Sequence, residues 1–444
     1  MPSSTAPDIN LLEAFYQSLT EHGIDYCILR NADEVERGDA HDVDMTVDAT
    51  SLKKAEQLLH TTAEQMGWKK HLQTGSAADP VNIKCYHYHQ ADDNLQRIHI
   101  LHIDIFPTFT WKGRVLLDNK TLLTRVTSNG LYRKAATETE AVCNLFVRLL
   151  FNGYIKDKFK ANIKHVFGTK PNEVLELMLQ FLPKNTATDI CQWVQHEEWQ
   201  NIEKARKSII SGIQRTAPCH RLLYMRYLLG KAFCRKGGIV AFQGTDGSGK
   251  STIINGLPDI IGRTFSGDTI DYYHWRPGFV KAEKKLADDG NVVSNVQPHT
   301  EKPYGKLISL AKMGMYILDY TLGYWCRVRW QAAKGHLVVF DRYYYDFYMD
   351  KIRYRLNVSD SVVRLCQYFI PEPDATFLLV GDAQQIYERK KEMPVEEVQA
   401  QIDCLLNNKG RMSNPIVTDV SQSIPQVLYS VSKNLLHILH ERNK

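Results

Sequence analysis

Residues 239–251 read IVAFQGTDGSGKS, and this stretch decides the fold of the second half of the chain. Five strand-forming residues lead into a G-x-x-x-x-G-K-S motif, and apolar residues with helical spacing follow it. In such a loop the backbone N–H groups wrap a phosphate, Lys250 supplies a positive charge, and the Ser251 hydroxyl can hold Mg²⁺. A glycine-rich surface loop is the alternative interpretation, but it requires neither the lysine nor the serine. The motif therefore predicts that the chain binds a nucleoside triphosphate, taken here as ATP with Mg²⁺.

The nucleotide-binding residues follow from this loop. They are predicted to be Gly244, Thr245, Gly247, Ser248, Gly249, Lys250, Ser251 and Thr252. The positive end of the following helix lies at the same place and favours an anion there. Pro258 falls about two turns into that helix, so we expect it to kink or end the helix.

The composition indicates an ordinary globular protein of several domains. Its 444 residues allow two or three cores, and the 43% hydrophobic and 24% charged fractions are unremarkable. A net charge of +5 suits phosphate ligands and gives no reason to expect a nucleic-acid partner. Nine cysteines without a C-x-x-C pair indicate reduced thiols. We expect a cytoplasmic protein with no signal peptide, and no membrane span because Lys312 and Asp319 interrupt the most apolar window.

The pattern of helices and strands predicts three domains, at residues 1–125, 126–236 and 237–444. The first mixes helices with strands, the second is a helical connector whose helical spacing runs from about residue 137 to 234, and the third alternates strands with helices. That alternation predicts a parallel sheet with helices on both faces and ligands at the carboxyl ends of the strands. The predicted strands are residues 25–29, 43–47, 81–88 and 97–106 in the first domain, and 239–243, 269–274, 337–340 and 375–380 in the third.

Three further segments place charged residues where phosphoryl transfer needs them. The apolar strand in LVVFDRYYYD (residues 337–346) ends in Asp341 and Arg342, a carboxylate for Mg²⁺-bound water and a guanidinium for a phosphate. HWRPG (residues 274–278) places Arg276 before a turn, and YERKKEM (residues 387–393) places Arg389 in a basic run. Each segment also has a purely structural interpretation. Asp341 and Arg342 could form an ordinary salt bridge at the strand end, Arg276 could be a surface arginine, and the basic run could be a solvated helix face.

GTDGSGKS, HWRPG, FDRYYYD and RKKE, in this order, resemble the thymidylate kinase branch of the nucleoside monophosphate kinases. They are more similar still to thymidylate-kinase-like proteins associated with bacterial surface-polysaccharide loci, where RYR also recurs, here at residues 353–355. The resemblance covers residues 237–444. It implies a P-loop kinase fold and phosphoryl transfer from ATP·Mg²⁺ to a small acceptor.

The resemblance also implies roles for the matched residues. Lys250 and Ser251 would hold ATP·Mg²⁺, Asp246 would face the acceptor's sugar, and Asp341 would serve the metal ion or the acceptor oxygen. Arginines would hold the phosphates: Arg342 and Arg276 on the acceptor, Arg389 from a lid, with Arg353 and Arg355 as further candidates. The T-R-E-P turn of thymidylate kinases reads W-R-P in this chain, so the glutamate that contacts the acceptor there is missing. The resemblance therefore does not specify dTMP as the acceptor.

Carboxylates in the first domain suggest a second phosphate chemistry. Asp42 and Asp44 share one face of a predicted strand, and Asp104 lies on a later strand. Two such carboxylates plus a third can bind two metal ions. Residues 11–111 resemble the minimal nucleotidyltransferase fold, an α+β arrangement. At the position where that family has Gly-Ser, this chain has LRN at residues 29–31. Three interpretations are open. Arg30 binds the phosphate in place of Gly-Ser, the domain binds a ligand without transferring a nucleotidyl group, or the likeness of the fold is a coincidence.

Four strand histidines offer another interpretation of the same region. They are His87, His89, His99 and His102. Together they are a candidate metal cluster, although strand histidines usually only form hydrogen bonds.

The predicted function is transfer of the γ-phosphoryl group of ATP to a nucleoside monophosphate or a sugar- or glycan-type acceptor of surface-polysaccharide assembly. The alternatives are a nucleotidyltransferase acting on protein, RNA or glycan with the P-loop domain as a nucleotide sensor, and a nucleotide-gated scaffold. The apolar helix around residues 315–325 is a candidate homodimer face or an internal packing face.

Overall fold

A computed structural model of the protein describes residues 7–30, 32–37, 42–75, 84–222, 224–225, 237–265, 270–278, 302–351, 353–391 and 393–443. The chain forms two compact units, Met1–Gln90 with His99–Gly230, and Ala91–Ile98 with Lys231–Lys444. Predicted domains 1–125 and 126–236 both fall mainly in the first unit, and 237–444 falls in the second.

The first unit is built on a seven-stranded mixed sheet in the order β3-β4-β5-β2-β1-β9-β8, with a separate β6–β7 hairpin. Its strands are β1 (Tyr26–Arg30), β2 (Asp42–Val47), β3 (Lys69–Gly75), β4 (Lys84–Asp92), β5 (Arg97–Ile105), β6 (Phe109–Trp111), β7 (Arg114–Leu117), β8 (Val126–Asn129) and β9 (Tyr132–Ala135). Its helices are α1 (Pro7–Glu21), α2 (Ala32–Arg37), α3 (Leu52–Gln65), α4 (Asn119–Thr124), α5 (Thr137–Asn152), α6 (Asp157–Thr169), α7 (Pro171–Leu179), α8 (Lys184–Gln195), α9 (Trp199–Lys204) and α10 (Arg206–Thr216).

Two apolar cores pack against opposite faces of this sheet. In one core, α1 and α3 pack against alternate residues of the central strands, such as Val43, Met45 and Ile103. The other joins β1, through Cys27 and Leu29, to α5 and the helices that follow it. Because that core is continuous, the helical segment and the sheet share a single compact unit.

His60 should make the first unit less stable at acid pH. Its Nδ1 hydrogen-bonds the Tyr88 hydroxyl, and its ring meets the edge of Tyr86 with 5.0 Å between centroids. Burial, with a smaller contribution from Lys70, lowers the pKa of His60 to about 4. The unfolded chain takes up this proton near pH 6.5, so the free energy of unfolding should fall between pH 6.5 and 4. Because the His60 ring is only partly buried and solvent screens its charge, we expect a decrease of about 1–2 kcal/mol.

Urea unfolding of the full chain across this pH range measures the effect. His60→Gln should flatten the pH profile between 6.5 and 4. Equal slopes in the variant and the original protein would contradict this assignment.

The second unit contains a five-stranded parallel sheet in the order β11-β12-β10-β13-β14. Its strands are β10 (Ile239–Gln243), β11 (Ile270–His274), β12 (Leu337–Asp341), β13 (Ala375–Val380) and β14 (Pro415–Asp419). Its helices are α11 (Lys250–Ile261), α12 (Lys306–Gly323), α13 (Arg329–Ala333), α14 (Asp346–Met349), α15 (Asp360–Gln367), α16 (Ala383–Arg389), α17 (Val395–Asn407) and α18 (Ile424–Arg442).

Helices cover both faces of the parallel sheet, as predicted. Val240 and Phe242 of β10 face a core shared with α11, α16 and α18, whereas Ile239 and Ala241 face one shared with α12–α15. Burial on both faces explains why the central strands are continuous apolar runs. The loop after β10 therefore emerges at the carboxyl edge of the sheet, beside the end of β12.

The strands that were predicted agree with the structure to within a few residues. The start of the predicted strand 81–88 and residue 269 lie outside the described residues, while β3, β6–β9 and β14 were not predicted. Pro258 was expected to kink or end its helix, yet α11 continues to Ile261. Its missing N–H removes one hydrogen bond near the end of the helix, where tertiary packing of Ile261 compensates.

The exposed face of α12 carries apolar side chains at helical spacing. Leu318 and Leu322 are 56% and 43% exposed, and Trp325, in the turn that follows α12, is 59% exposed. The homodimer through this region stays a prediction. Among the described residues, no helix combines the length and apolar character needed to cross a membrane.

Candidate functional site

The loop between β10 and α11 forms a polar cradle around the amino group of Lys250. Lys250 Nζ donates to the carbonyl oxygens of Gly244 and Thr245, at 2.8 Å each. The Thr245 and Ser248 hydroxyl oxygens are buried and have no hydrogen-bond partner. Burial, followed by the nearby Arg342 charge, lowers the pKa of Lys250 to about 8. A buried cation beside unsatisfied hydroxyls provides the contacts that a phosphate group would use.

The glycines of the loop are required by its backbone. Gly247 and Gly249 have φ values of 85° and 82°, in the left-handed region that favours glycine. A Cβ on Gly244 would lie 2.6 Å from Ser248 Oγ and 2.8 Å from the Leu379 carbonyl oxygen. Ser251 and Thr252 lie in the first turn of α11 and are exposed.

Gly244→Ala should therefore damage this loop. We expect it to destabilise the second unit by about 1–3 kcal/mol, because the backbone at Leu379 must move. Nucleotide affinity should fall as well, measured by thermal shift with ATP·Mg²⁺. Gly314→Ala is the matched control: its Cβ meets no atom within 4 Å, and a helical alanine should be neutral or stabilising. Equal behaviour of the two variants would contradict the packing argument.

Asp341 ends β12 next to the cradle. Its Oδ2 accepts a hydrogen bond from the Tyr272 hydroxyl (3.0 Å) and lies 3.7 Å from His274 Nδ1, whereas Oδ1 is buried and has no partner. Burial opposes ionisation of Asp341, but the contact with His274 and the charge of Lys250 leave its pKa below the usual value. One carboxylate oxygen is therefore available for a metal-bound water or for an acceptor hydroxyl.

Arg342 connects the loop to the segment after β12. Its backbone has a φ of 70°, and its side chain donates to Asp246 Oδ1 at 2.5 Å and to Asp346 Oδ2 at 3.0 Å. Arg353 donates to Asp246 Oδ2 at 2.8 Å, and the Tyr354 hydroxyl donates to Asp346 Oδ2 at 2.6 Å. Burial alone would raise the pKa of Asp246, but the two guanidinium groups hold it well below its usual range. The structure thus brings together the predicted residues Asp246, Arg342 and Arg353.

Arg276 lies in the turn after β11, but it contacts a carboxylate that the sequence analysis did not select. Its Nη1 donates to Asp319 Oδ2 at 2.9 Å, and Asp319 is fully buried. Trp275, with a φ of 68°, has Tyr354 stacked on it at 4.5 Å. The Trp275 amide also donates to the carbonyl oxygen of Asp341 at 2.8 Å, which fixes this turn beside the end of β12.

Arg389 ends α16 and donates to the Val420 carbonyl oxygen at 3.0 Å. The basic run nevertheless lies close to the cradle, because a Cβ on Gly247 would meet Lys390 Cβ at 3.1 Å and the Ile386 carbonyl oxygen at 2.9 Å. Arg355 donates to the Lys302 carbonyl oxygen at 3.0 Å. A lid role for Arg389 and a phosphate role for Arg355 stay predictions. Glu392 of the same motif lies outside the described residues.

Asp346, Asp319, Tyr272 and His274 are the site residues that sequence analysis missed. Asp346 was discoverable, because it stands four residues after Arg342, close enough in sequence for the two side chains to meet across a turn. Tyr272 and His274 alternate along β11 and so share a face. Asp319 gave no signal, since its partner lies 43 residues away in sequence.

The predicted carboxylates of the first unit also come together. Parallel pairing of β2 with β5 places Asp44 opposite Asp104 and Asp42 opposite His102. Burial and the charges of Asp44 and Asp42 raise the pKa of Asp104 well above its usual value. A metal ion would relieve that repulsion. Yet across the described residues no three His, Cys, Asp or Glu side chains are arranged to hold one.

A β-bulge explains how Arg30 reaches these carboxylates. Ile28 pairs with Met45, but Arg30 pairs with Asp44, so the register shifts between them. The extra residue turns Arg30 from the core face to the acidic face, where it forms an ion pair with Asp44. A cation of the chain itself thus neutralises part of the acidic group.

Histidines extend the polar face of the same sheet. The His87 and His102 ring centroids are 4.1 Å apart, and His71 Nδ1 lies 3.1 Å from His89 Nδ1. His99 instead has the register of Leu101 and Ile103, which places it on the opposite face. Burial, then His102, lowers the pKa of His87 well below its usual value, which favours a neutral His87 ring. The structure therefore separates His99 from the predicted cluster and adds His71.

Comparison with known proteins adds little. No protein-family model and no curated protein matches the chain. Among solved structures, the chain is similar to the crystal structure of thymidylate kinase from Ehrlichia chaffeensis, with 17% identity and a TM-score of 0.29, covering 45% of this chain and 98% of that chain. An identity and a score this low establish neither a shared function nor shared site residues.

Proposed function

We propose that the second unit transfers the γ-phosphoryl group of ATP to a small acceptor. The observation that carries this proposal is the cradle, in which the buried amino group of Lys250 lies beside the partnerless hydroxyls of Thr245 and Ser248. The adjoining group of Asp246, Arg342 and Arg353 supplies charges at the carboxyl edge of the sheet, where ligands of parallel sheets bind.

Residues for Mg²⁺ are present in this site. The exposed Ser251 hydroxyl in the first turn of α11 and the partnerless buried Oδ1 of Asp341 are hard oxygen ligands of the kind that Mg²⁺ prefers. Ser251 would hold the ion, and Asp341 would hold either a metal-bound water or the acceptor oxygen. When bound, Mg²⁺ neutralises charge on the β- and γ-phosphates.

The protein's own part in the reaction is positioning and charge. Backbone N–H groups of the loop and Lys250 fix the phosphates of ATP, and Asp246 orients the acceptor. Arg342, Arg276 and Arg353, each paired with a carboxylate of the chain, would contribute positive charge near the acceptor, and Arg389 would do so from the lid. Such a transfer needs little covalent help, so these contacts supply most of the rate enhancement. The acceptor is a nucleoside monophosphate or a sugar- or glycan-type molecule, with surface-polysaccharide assembly as the proposed setting.

ATP labelled separately at the α and γ phosphates tests the proposal. With purified full chain, Mg²⁺ and a panel of nucleoside monophosphates and sugars, we expect the γ label to appear on the acceptor. Binding of ATP without label transfer to any acceptor would instead support a nucleotide-gated scaffold.

The acidic face of the first unit supports a second candidate, nucleotidyl transfer, because β2 and β5 place Asp44 beside Asp104. In that case the α label would be retained on the product, and Asp42→Asn would abolish this transfer while leaving γ transfer unchanged. The ion pair of Arg30 with Asp44 would have to open before a metal ion could bind.

A further inference from the structure

The arginines at the acceptor side of the cradle are already matched by carboxylates of the chain. Arg342 contacts both Asp246 and Asp346, and Arg353 contacts Asp246. The side chain of Arg342 is 7% exposed and that of Asp346 is 0% exposed. An incoming phosphate could bind Arg342 fully only by leaving a buried carboxylate without its counter-ion, which is strongly unfavourable.

Arg276 is likewise already paired with a carboxylate. It is ion-paired with Asp319, whose side chain is 0% exposed. Around the described acceptor side, Asp246, Asp319 and Asp346 are thus paired with Arg276, Arg342 and Arg353, and Asp341 lies near His274 and Lys250. The positive charge of Lys250 is used by the phosphates of the bound nucleotide. These described groups therefore offer no surplus positive charge for a second, dianionic phosphate.

The same side offers hydrogen-bonding and aromatic groups instead. Asp341 Oδ1 can accept a hydrogen bond, and the buried indole N–H of Trp275 has no partner to donate to. Trp275 and Tyr354 stack at 4.5 Å, and Asp246 keeps 20% exposure with lone pairs to spare. Hydrogen-bonding groups beside aromatic rings suit a molecule with many hydroxyl groups and apolar C–H faces.

Building on the proposed kinase function, we propose that the acceptor atom is a hydroxyl oxygen of an uncharged, sugar-like molecule and not the phosphate of a monoester. The hydroxyl oxygen forms the new bond to Pγ as the bond from Pγ to the β,γ-bridging oxygen breaks. ADP leaves with that electron pair, and the hydroxyl proton passes to Asp341 and then to water. In this reaction Asp341 accepts the proton of the acceptor hydroxyl.

Matched acceptor pairs test the proposal with the full chain and γ-labelled ATP. Suitable pairs are thymidine with thymidine monophosphate, glucose with glucose 6-phosphate, and N-acetylglucosamine with its 1-phosphate. The uncharged member of a productive pair should have the higher kcat/KM, by about tenfold or more. If the phosphate-bearing member is preferred and the product is a diphosphate, kinase function stands and this inference fails.

If no acceptor takes the label, the proposed function fails for this panel, and titration with inorganic phosphate decides the charge argument. We expect phosphate to leave the melting temperature of the ADP·Mg²⁺-loaded protein unchanged, but to raise that of Asp246→Asn, in which Arg353 loses its carboxylate and Arg342 keeps Asp346 alone. Asp360→Asn, which alters an exposed carboxylate paired with Lys351, is the matched control and should behave like the original protein.

A saturable phosphate response in the original protein would overturn the inference. So would the absence of a response in both the original protein and Asp246→Asn, because the arginines would then not be the groups that the carboxylates withhold from a phosphate.

Discussion

Replacing Lys250 with alanine should lower the rate of γ-phosphoryl transfer by about 10²–10³-fold. The side chain is 7% exposed, and its amino group is fixed by the carbonyl oxygens of Gly244 and Thr245. A charge held in place before the reaction stabilises the developing phosphate charge without reorganisation, so its loss should reduce kcat as well as ATP affinity. Steady-state kinetics with the labelled acceptor measure both quantities.

Two variants separate the charge from other effects. Lys250→Met removes the ammonium group but keeps most of the side-chain volume, and it should be as inactive as Lys250→Ala. Lys409→Ala, at an exposed lysine of the same unit, should leave the rate unchanged. A rate within threefold of the original for Lys250→Met, with an unchanged melting temperature, would remove Lys250 from the mechanism.

Asp346→Ala should destabilise the second unit by about 3–5 kcal/mol. Asp346 is fully buried and accepts hydrogen bonds from Arg342 Nη1 and the Tyr354 hydroxyl. Removing the carboxylate leaves Asp246 as the remaining carboxylate partner of the buried guanidinium among the described residues. It also leaves the Tyr354 hydroxyl without an acceptor. Urea unfolding of the full chain gives the change in free energy.

Asp360→Ala is the matched control for this experiment. Asp360 also forms an ion pair, with Lys351, but its side chain is 61% exposed. An exposed pair contributes about 1 kcal/mol or less, so this variant should be nearly neutral. If Asp346→Ala were as mild as Asp360→Ala, the buried pair would not be holding the segment after β12 in place.

Two of the strands that sequence analysis missed share a physical cause. β3 reads KKHLQTG and β14 reads PIVTD, and each lies at the edge of its sheet. An edge strand has one hydrogen-bonding neighbour and more contact with solvent, so it needs few apolar residues and shows no clear alternation. The central strands β10, β12 and β13 are buried on both faces, and their apolar runs were recognised.

The sequence by itself determined the phosphate-binding loop. Strand, glycines, lysine and helix start all lie within 13 residues, and the backbone angles at Gly247 and Gly249 depend on local sterics. The position of Asp341 at a strand end was predictable for the same reason, because one apolar run ends at one carboxylate.

Only the tertiary structure decided which charges meet. Asp246 is separated from Arg342 by 96 residues and from Arg353 by 107. In the first unit, a bulge in β1 selects the face on which Arg30 meets Asp44. Long-range ion pairs depend on strand order, register and burial, none of which is encoded in the spacing of the residues. For this reason the sequence predicted arginines ready for phosphate, whereas the fold pairs Arg276, Arg342 and Arg353 with carboxylates of the chain itself.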